Sequence, residues 1–334
     1  MDILINTGAV LLGLVFLYGG GHFLVAGAGG IAKKLKISAI VIGLTVVAFG
    51  TSAPELFVSS LSALKGLASI SLGNVIGSNI INIALVLGLS AIFMPIPVSK
   101  AIVRRDTPIM FLSYGLLILS ILLWGFTEEQ ASIINRVEGF ILLGVLVVYI
   151  LTLYRKNKTA DQNGADLEVI DLHELDNVSA DEPWIPLLGK TLGGIAALAF
   201  GAEILVNGAS WLAIHVFNVS ERFVGITIVA FGTSLPELVT SIVAMARKEA
   251  DISVGNIIGS NIFNTLAVIG VTAVIQPLPV MFSQFSLDFL IMVAISTLLY
   301  LVFIVLGKIQ RWTGGVFLAL YIGYVIFLLQ NASV

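Results

Sequence analysis

Apolar and polar positions along the chain alternate on the length scale of a bilayer. Runs long enough to cross one, about 20 residues each, fall near 6–30, 38–64, 70–95, 107–125 and 133–154, and again near 185–213, 219–246, 252–276, 284–306 and 312–331. A polar stretch from Arg155 to Glu182 separates the two sets. The pattern predicts an all-α membrane protein of ten transmembrane helices: a first five-helix repeat over 1–154, a cytosolic acidic linker over 155–183, and a second five-helix repeat over 184–334. Gly/Ala-rich runs near the middle of each half predict broken helices there, since irregular backbone at membrane depth is tolerated where it lines a cavity or is buried in protein.

Composition agrees with the pattern. Of 334 residues, 58% are hydrophobic and 11% charged, against roughly a quarter charged in soluble domains. A net charge of −3 argues for no nucleic-acid partner. The absence of cysteine excludes disulfides, thiolate metal sites and cysteine nucleophiles. The first run lacks a basic leader and a small-residue cleavage site, so it reads as a spanning helix rather than a removed signal peptide.

One stretch is anomalous. Gly43-Leu44-Thr45-Val46-Val47-Ala48-Phe49-Gly50-Thr51-Ser52-Ala53-Pro54-Glu55 puts a proline and a carboxylate inside an apolar span, and Gly225–Glu237 repeats it nearly letter for letter at an offset of 182. At the same offset Gly73-Asn74-Val75-Ile76-Gly77-Ser78-Asn79-Ile80-Ile81-Asn82 matches Gly255–Asn264, and Pro95-Ile96-Pro97-Val98 matches Pro277–Val280. Each half has an odd number of spans, so the second enters the membrane from the opposite side. That is the inverted-repeat plan of many secondary transporters.

Lysines and arginines set the expected orientation. Lys33, Lys34, Lys36, Lys100, Arg104, Arg105, Arg155, Lys156, Lys158, Arg247, Lys248, Lys308 and Arg311 fall in alternate loops of one side, whereas Lys65, Arg136 and Arg222 fall on the other. Both termini are expected outside and the acidic linker in the cytosol.

A charged side chain at mid-bilayer costs about 2.5–3.5 kcal/mol on insertion scales, so Glu55 and Glu237 are functional candidates by default. Pro54 and Pro236 interrupt the helix ladder, which is expected to release carbonyls around Val47–Gly50 and Val229–Gly232. On helical geometry Ala48, Thr51 or Ser52, and Glu55 share a face, as do Ala230, Thr233 or Ser234, and Glu237. Ser78 and Asn82 lie four apart, as do Ser260 and Asn264. Four such helices meeting at a pseudo-two-fold axis would offer only hard oxygen donors, which suits Na⁺ or Ca²⁺. Zinc or copper would need histidine or thiolate.

The twin Gly-x-Thr-(x)₂-Ala-Phe-Gly-Thr-Ser-x-Pro-Glu and Gly-Asn-(x)₂-Gly-Ser-Asn-(x)₂-Asn segments resemble the α-repeats of the cation/calcium antiporter superfamily, the sodium/calcium exchangers in particular. The resemblance implies that Glu55 and Glu237 are the central ligands of calcium and sodium. It adds Ala48, Thr51, Ser52, Ser78 and Asn82 from the first repeat, and Ala230, Thr233, Ser234, Ser260 and Asn264 from the second. It also implies alternating access, with the first helix of each half sliding over a rigid core. One position departs from the pattern. Several sodium/calcium exchangers have aspartate where this chain has Asn264, and two carboxylates balance one Ca²⁺ but not three Na⁺.

The expected function is therefore Ca²⁺/Na⁺ antiport. H⁺/Ca²⁺ exchange, with both glutamates taking up protons as calcium leaves, is the alternative, and a cation channel or membrane calcium sensor is the opposing class. A channel would more naturally be a symmetric oligomer around a shared pore, whereas this chain carries its own inverted symmetry and is expected to work as a monomer. No Walker-type phosphate loop is present, so nucleotide is not the driver. No enzyme activity or cofactor is called for. The expected partners are Ca²⁺, Na⁺ and membrane lipids, in a prokaryotic plasma membrane.

Other polar residues have plainer readings. Asn74, Asn79, Asn256 and Asn261 read as ligands or, at least equally well, as interhelical hydrogen-bonding residues. His22 and Glu203, in corresponding helices, are expected to pack or snorkel, and the Gly19–Gly21 run to permit close sliding contact. Asp106, Glu138 and Asp288 are expected to cap or to face the interface. The acidic linker lacks an EF-hand spacing and reads as solvated, with a short helix from Asp166 to Leu175. Three Asn-x-Ser/Thr matches, at Asn157, Asn177 and Asn331, are common by chance.

Overall fold

In lipid a segment must satisfy its backbone N–H and C=O groups internally, and the apolar runs are accordingly helical. The computed structural model describes residues 2–35, 37–122, 132–162, 182–216 and 230–331. Lys36, Arg222, residues 225–229 of the second motif, the linker segment 163–181 with its expected short helix and its Asn177 match, and residues 332–334 lie outside the described residues.

Among the described residues eight helices are each long and apolar enough to span: α1 (Asp2–Leu35), α4 (Ala68–Phe93), α5 (Ile102–Leu122), α6 (Arg136–Gln162), α7 (Trp184–His215), α10 (Ala250–Ile275), α11 (Phe282–Leu306) and α12 (Arg311–Asn331). A ninth span is the pair α2 (Ile40–Thr51) and α3 (Ala53–Leu64), bent by 44°. Its counterpart is α8 (Ala230–Thr233) followed by α9 (Leu235–Ala246). The architecture is the ten-helix, two-repeat plan, and α6 runs several residues into the expected linker. The linker's far end is tied down: the Glu182 carboxylate accepts the Lys190 ammonium at 2.6 Å, and its carbonyl accepts that of Lys34 at 2.7 Å.

The centre is formed by α4 and α10. Their apolar windows are 83% and 89% buried within the protein, against 17–44% for the other long spans, so these two face protein while the rest also face lipid. Small residues let α2 lie directly on α10. A Cβ on Gly259 would come within 2.8 Å of the Leu44 Cα, and one on Gly43 within 3.0 Å of the Ile252 carbonyl.

Around this core α1 and α7 cross antiparallel, backbone against backbone. Gly13, Gly20 and Gly27 on α1 and Gly194, Gly201 and Gly208 on α7 recur every seven residues, the step that keeps one stripe facing a partner helix. A Cβ on Gly194 would lie 2.5 Å from the Leu24 nitrogen, and one on Gly20 would lie 2.8 Å from the Leu198 nitrogen. Of the expected Gly19–Gly21 run, only Gly20 makes this contact. Gly21 faces Val239, and Gly19 has nothing within 4 Å. The two glycine sets are equivalent at an offset of 181, which makes His22 the counterpart of Glu203. Both are exposed, and His22 Nε2 accepts from the Arg247 guanidinium at 2.6 Å.

Two short ribbons join the halves. β1 (Ile96–Pro97) pairs antiparallel with β4 (Lys308–Ile309), and β2 (Ser132–Ile134) with β3 (Leu278–Val280), in the register Ile96↔Ile309 and Ile133↔Pro279. The repeated Pro-x-Pro-Val segments thus each pair with a strand from the opposite half.

Glu138 caps as expected, accepting the Asn135 N–H at 2.8 Å. Asp106 is not exposed. It is buried, held by the Arg105 guanidinium at 2.7 and 2.9 Å and by the Tyr149 hydroxyl at 3.1 Å. A buried carboxylate needs such donors. Asp288 likewise accepts the Tyr324 hydroxyl at 2.7 Å.

The glycine contact has a direct test with an internal control. Gly194→Ala puts a methyl into the α1 backbone and is expected to cost about 1–3 kcal/mol, as overpacking does. Gly193→Ala, which meets nothing within 4 Å, leaves the thermal midpoint in detergent unchanged. Equal midpoints for the two variants would contradict the close crossing.

Candidate functional site

The site begins with the break between α2 and α3. Pro54 sits in the first turn of α3, where its missing N–H is harmless, and Ser52 ahead of it leaves helical geometry with φ −83° and ψ 5°. A serine there ordinarily caps its own helix. Ser52 does not: its hydroxyl donates to the Glu237 carboxylate of the other repeat at 3.2 Å. Sequence spacing grouped Ser52 with Glu55 on one helical face, and the break turns it across the two-fold instead.

Glu55 and Glu237 are both fully buried and near enough to interact electrostatically. Glu55 accepts the Ser78 hydroxyl at 3.3 Å and has Ser234 beside it. Glu237 has Thr51 and Ser260 beside it in addition to Ser52. The hydroxyls interlink: Ser234 donates to Ser78 at 3.4 Å, and Thr51 and Ser260 are 3.4 Å apart. Thr51 also donates to Asn256 Oδ1 at 3.0 Å, and Thr233 to Asn74 Oδ1 at 3.5 Å. Asn82 and Asn264 stand one turn beyond Ser78 and Ser260, both fully buried, each where its helix loosens into a π segment (Asn82–Leu87 and Asn264–Val268). Such bulges recur at functional sites.

The Ala48 carbonyl is less free than a proline break suggests. It accepts the Ser52 N–H at 3.0 Å and lies 3.3 Å from the Thr51 hydroxyl. Ala230 begins α8, the equivalent place. Of the twelve expected site residues, the structure gathers Ser78 and Ser234 around Glu55, and Ser52, Thr51 and Ser260 around Glu237, with Thr233 on Asn74 and the two asparagines one turn away.

Four oxygens stand out. Glu55 Oε2, Glu237 Oε2, Asn82 Oδ1 and Asn264 Oδ1 are buried and have no hydrogen-bond partner. A buried polar atom left so costs about 1–3 kcal/mol, more when charged, and these four occupy two pairs of repeat-equivalent positions. Oxygens held without donors are what a hard cation replaces water with. No group of three or more His, Cys, Asp or Glu occurs among the described residues, so nothing there offers a zinc-type ligand set.

Asn74 and Asn256 act between helices as expected, donating to Ser59 at 3.0 Å and to Ser241 at 3.4 Å. Ser59 and Ser241 escaped sequence reading, as did Met110, Met292 and Tyr114, which surround Asn79 and Asn261. A signal was available. Ser59 and Ser241, and Met110 and Met292, are the same letters at the repeat offset of 182.

The family profile described as sodium/calcium exchanger protein matches residues 5–155 and 187–330. The chain is 33% identical over 357 residues to sodium/calcium exchanger MaX1 of Methanosarcina acetivorans, covering 98% of this chain and 99% of that one. It is 37% identical over 324 residues to putative antiporter CaxA of Alkalimonas amylolytica, covering 96% and 98%. The solved sodium-calcium exchanger NCX_Mj superposes with a TM-score of 0.77 at 33% identity, covering 97% of this chain and 99% of that one. A matching profile over both halves, full-length relatives and a common fold lead to one conclusion: the chain belongs to the sodium/calcium exchanger family, as a membrane cation antiporter and not an enzyme.

Proposed function

We propose that this protein exchanges Ca²⁺ for Na⁺ across the membrane by alternating access, and that Glu55 and Glu237 bind the ions together with Thr51, Thr233, Ser52, Ser234, Ser78, Ser260, Asn82, Asn264 and the carbonyls of Ala48 and Ala230. One observation carries the reading: the unpartnered buried oxygens of Glu55, Glu237, Asn82 and Asn264 come in equal number from the two repeats. Two carboxylates neutralise one Ca²⁺, and serine hydroxyls complete an oxygen shell. The names of the relatives, which include a sodium/calcium exchanger, support Na⁺ as the counter-ion.

The domain division follows the repeats: 1–154 and 184–334 as two five-helix units joined by the linker 155–183. The antiparallel pair α1 and α7 would move as one unit over the core, because its backbones touch along the glycine stripes. The lysine and arginine bias supports termini outside and the linker in the cytosol of a prokaryotic cell. The chain's own two-fold symmetry supports a functional monomer.

A second reading, H⁺/Ca²⁺ exchange, is favoured by one observation. Asn82 and Asn264 are neutral, so Glu55 and Glu237 are the only charges in the proposed ligand set, and protonating both would balance the release of one Ca²⁺.

Two measurements in reconstituted vesicles test these statements. Glu55→Gln and Glu237→Gln are each expected to lower calcium flux by more than about 100-fold, beyond what loss of an outer-shell partner costs; near-normal flux in both would remove the site. Calcium uptake is expected to follow an outward sodium gradient at constant pH, and a pH gradient without sodium is expected to drive none. Uptake in the second condition would replace Na⁺ by H⁺ as the coupling ion.

A further inference from the structure

Asparagine offers a cation either an acceptor oxygen or a repelling amino group, depending on a half-turn of its amide. At both Asn82 and Asn264 the oxygen is the unpartnered atom, while the amino group is engaged. Asn82 Nδ2 donates to Asn261 Oδ1 at 3.0 Å, and Asn264 Nδ2 donates to Asn79 Oδ1 at 3.2 Å. Each partner belongs to the opposite repeat, three residues before that repeat's own site asparagine.

The orientation of those partners is itself forced. Asn261 Nδ2 donates to the backbone carbonyl of Asn79 at 3.3 Å and to the Tyr114 hydroxyl at 3.1 Å. A carbonyl cannot donate, so Asn261 must present its amino group there and its oxygen to Asn82. On the other side the Thr265 hydroxyl donates to the Asn261 carbonyl at 3.0 Å, which leaves its oxygen to accept from Asn79 Nδ2 at 3.2 Å. Asn79 must then turn its oxygen to Asn264. The two routes differ in length because the position equivalent to Thr265 is Ile83, which has no hydroxyl to interpose. Both relays start at a backbone carbonyl and run one way. Reversing either amide would set a donor against a donor.

We propose that Asn79 and Asn261 are positioning residues that hold the amide oxygens of Asn264 and Asn82 towards the transported cation, with Thr265 and the Asn79 and Asn261 carbonyls fixing the sense of each relay. The proposal rests on reading Asn82 and Asn264 as cation ligands. It gives the site's neutral residues a fixed oxygen end, which carboxylates, with an oxygen at either end, present without such orientation.

That difference supplies the test. Equilibrium ⁴⁵Ca²⁺ binding is measured on the purified full chain for Asn79→Leu and Thr265→Val, each alone and combined with Asn264→Asp. Alone, Asn79→Leu is expected to weaken calcium about 10- to 100-fold, the usual effect of losing an outer-shell partner. Thr265→Val, which keeps shape and removes only the hydroxyl, weakens it in the same direction and guards against a variant that fails to fold. In the Asn264→Asp background neither substitution is expected to weaken calcium, because a carboxylate cannot turn an amino group to the ion and no longer donates to the Asn79 oxygen. Equal losses in the two backgrounds, or no loss in either, overturn the proposal and leave Asn79 a packing residue. Failure of the ligand reading looks different: calcium affinity unchanged by Asn264→Asp itself and by Glu237→Gln.

Discussion

The rest of this structure depends on keeping two carboxylates buried together in an apolar membrane interior. Among the described residues no arginine or lysine meets them, and their neighbours are hydroxyls, brought in without exposing backbone to lipid. The broken spans meet that requirement. A proline in the first turn of α3 and α9 permits the helix to restart at a new angle, and the serine ahead of it, freed from helical geometry, reaches across the two-fold to the other repeat. Each glutamate is thereby held partly by hydroxyls from the half to which it does not belong.

Packing follows from the same requirement. With α4 and α10 almost wholly enclosed, their polar motifs never face lipid, and the outer helices can be uniformly apolar. Between α1 and α7 the demand is opposite. Lipid is as apolar as leucine and supplies no hydrophobic drive for association, so helices in a membrane associate through close van der Waals contact. Glycine at every seventh position gives that contact without interlocking side chains. A smooth, tightly apposed pair suits a unit that moves as a whole.

Much of this was legible in the letters. The ten runs, the twin motifs and the two buried glutamates follow from run length, an offset of 182 and residue type, and the fuller ligand set from the resemblance that those motifs carry. Glu55 and Glu237 stood out because charge inside an apolar run is costly, and Asn74 and Asn256 read correctly as links between helices. Asp106 did not read correctly. Its position near a span end suggested exposure, whereas α6 brings Tyr149 over it and seals it against Arg105. Met110 and Tyr114 were passed over because nothing about a methionine or tyrosine in a membrane run marks it until its neighbour is known, although the repetition of Met110 at Met292 was there to be seen.

Span positions, inverted topology and the oxygen-only chemistry of the site were determined by the sequence itself, because bilayer thickness is a length along the chain and a duplicated motif is a comparison of letters. Cross-repeat pairing was decided only by tertiary structure. Ser52 serves Glu237 rather than Glu55, and Asn261 rather than a nearby residue orients Asn82, because those relations exist between points 179 or more residues apart in sequence. Which atom of an amide faces the site is likewise set by the donors and acceptors around it. Those are supplied by backbone carbonyls on the opposite helix, which no sequence pattern names.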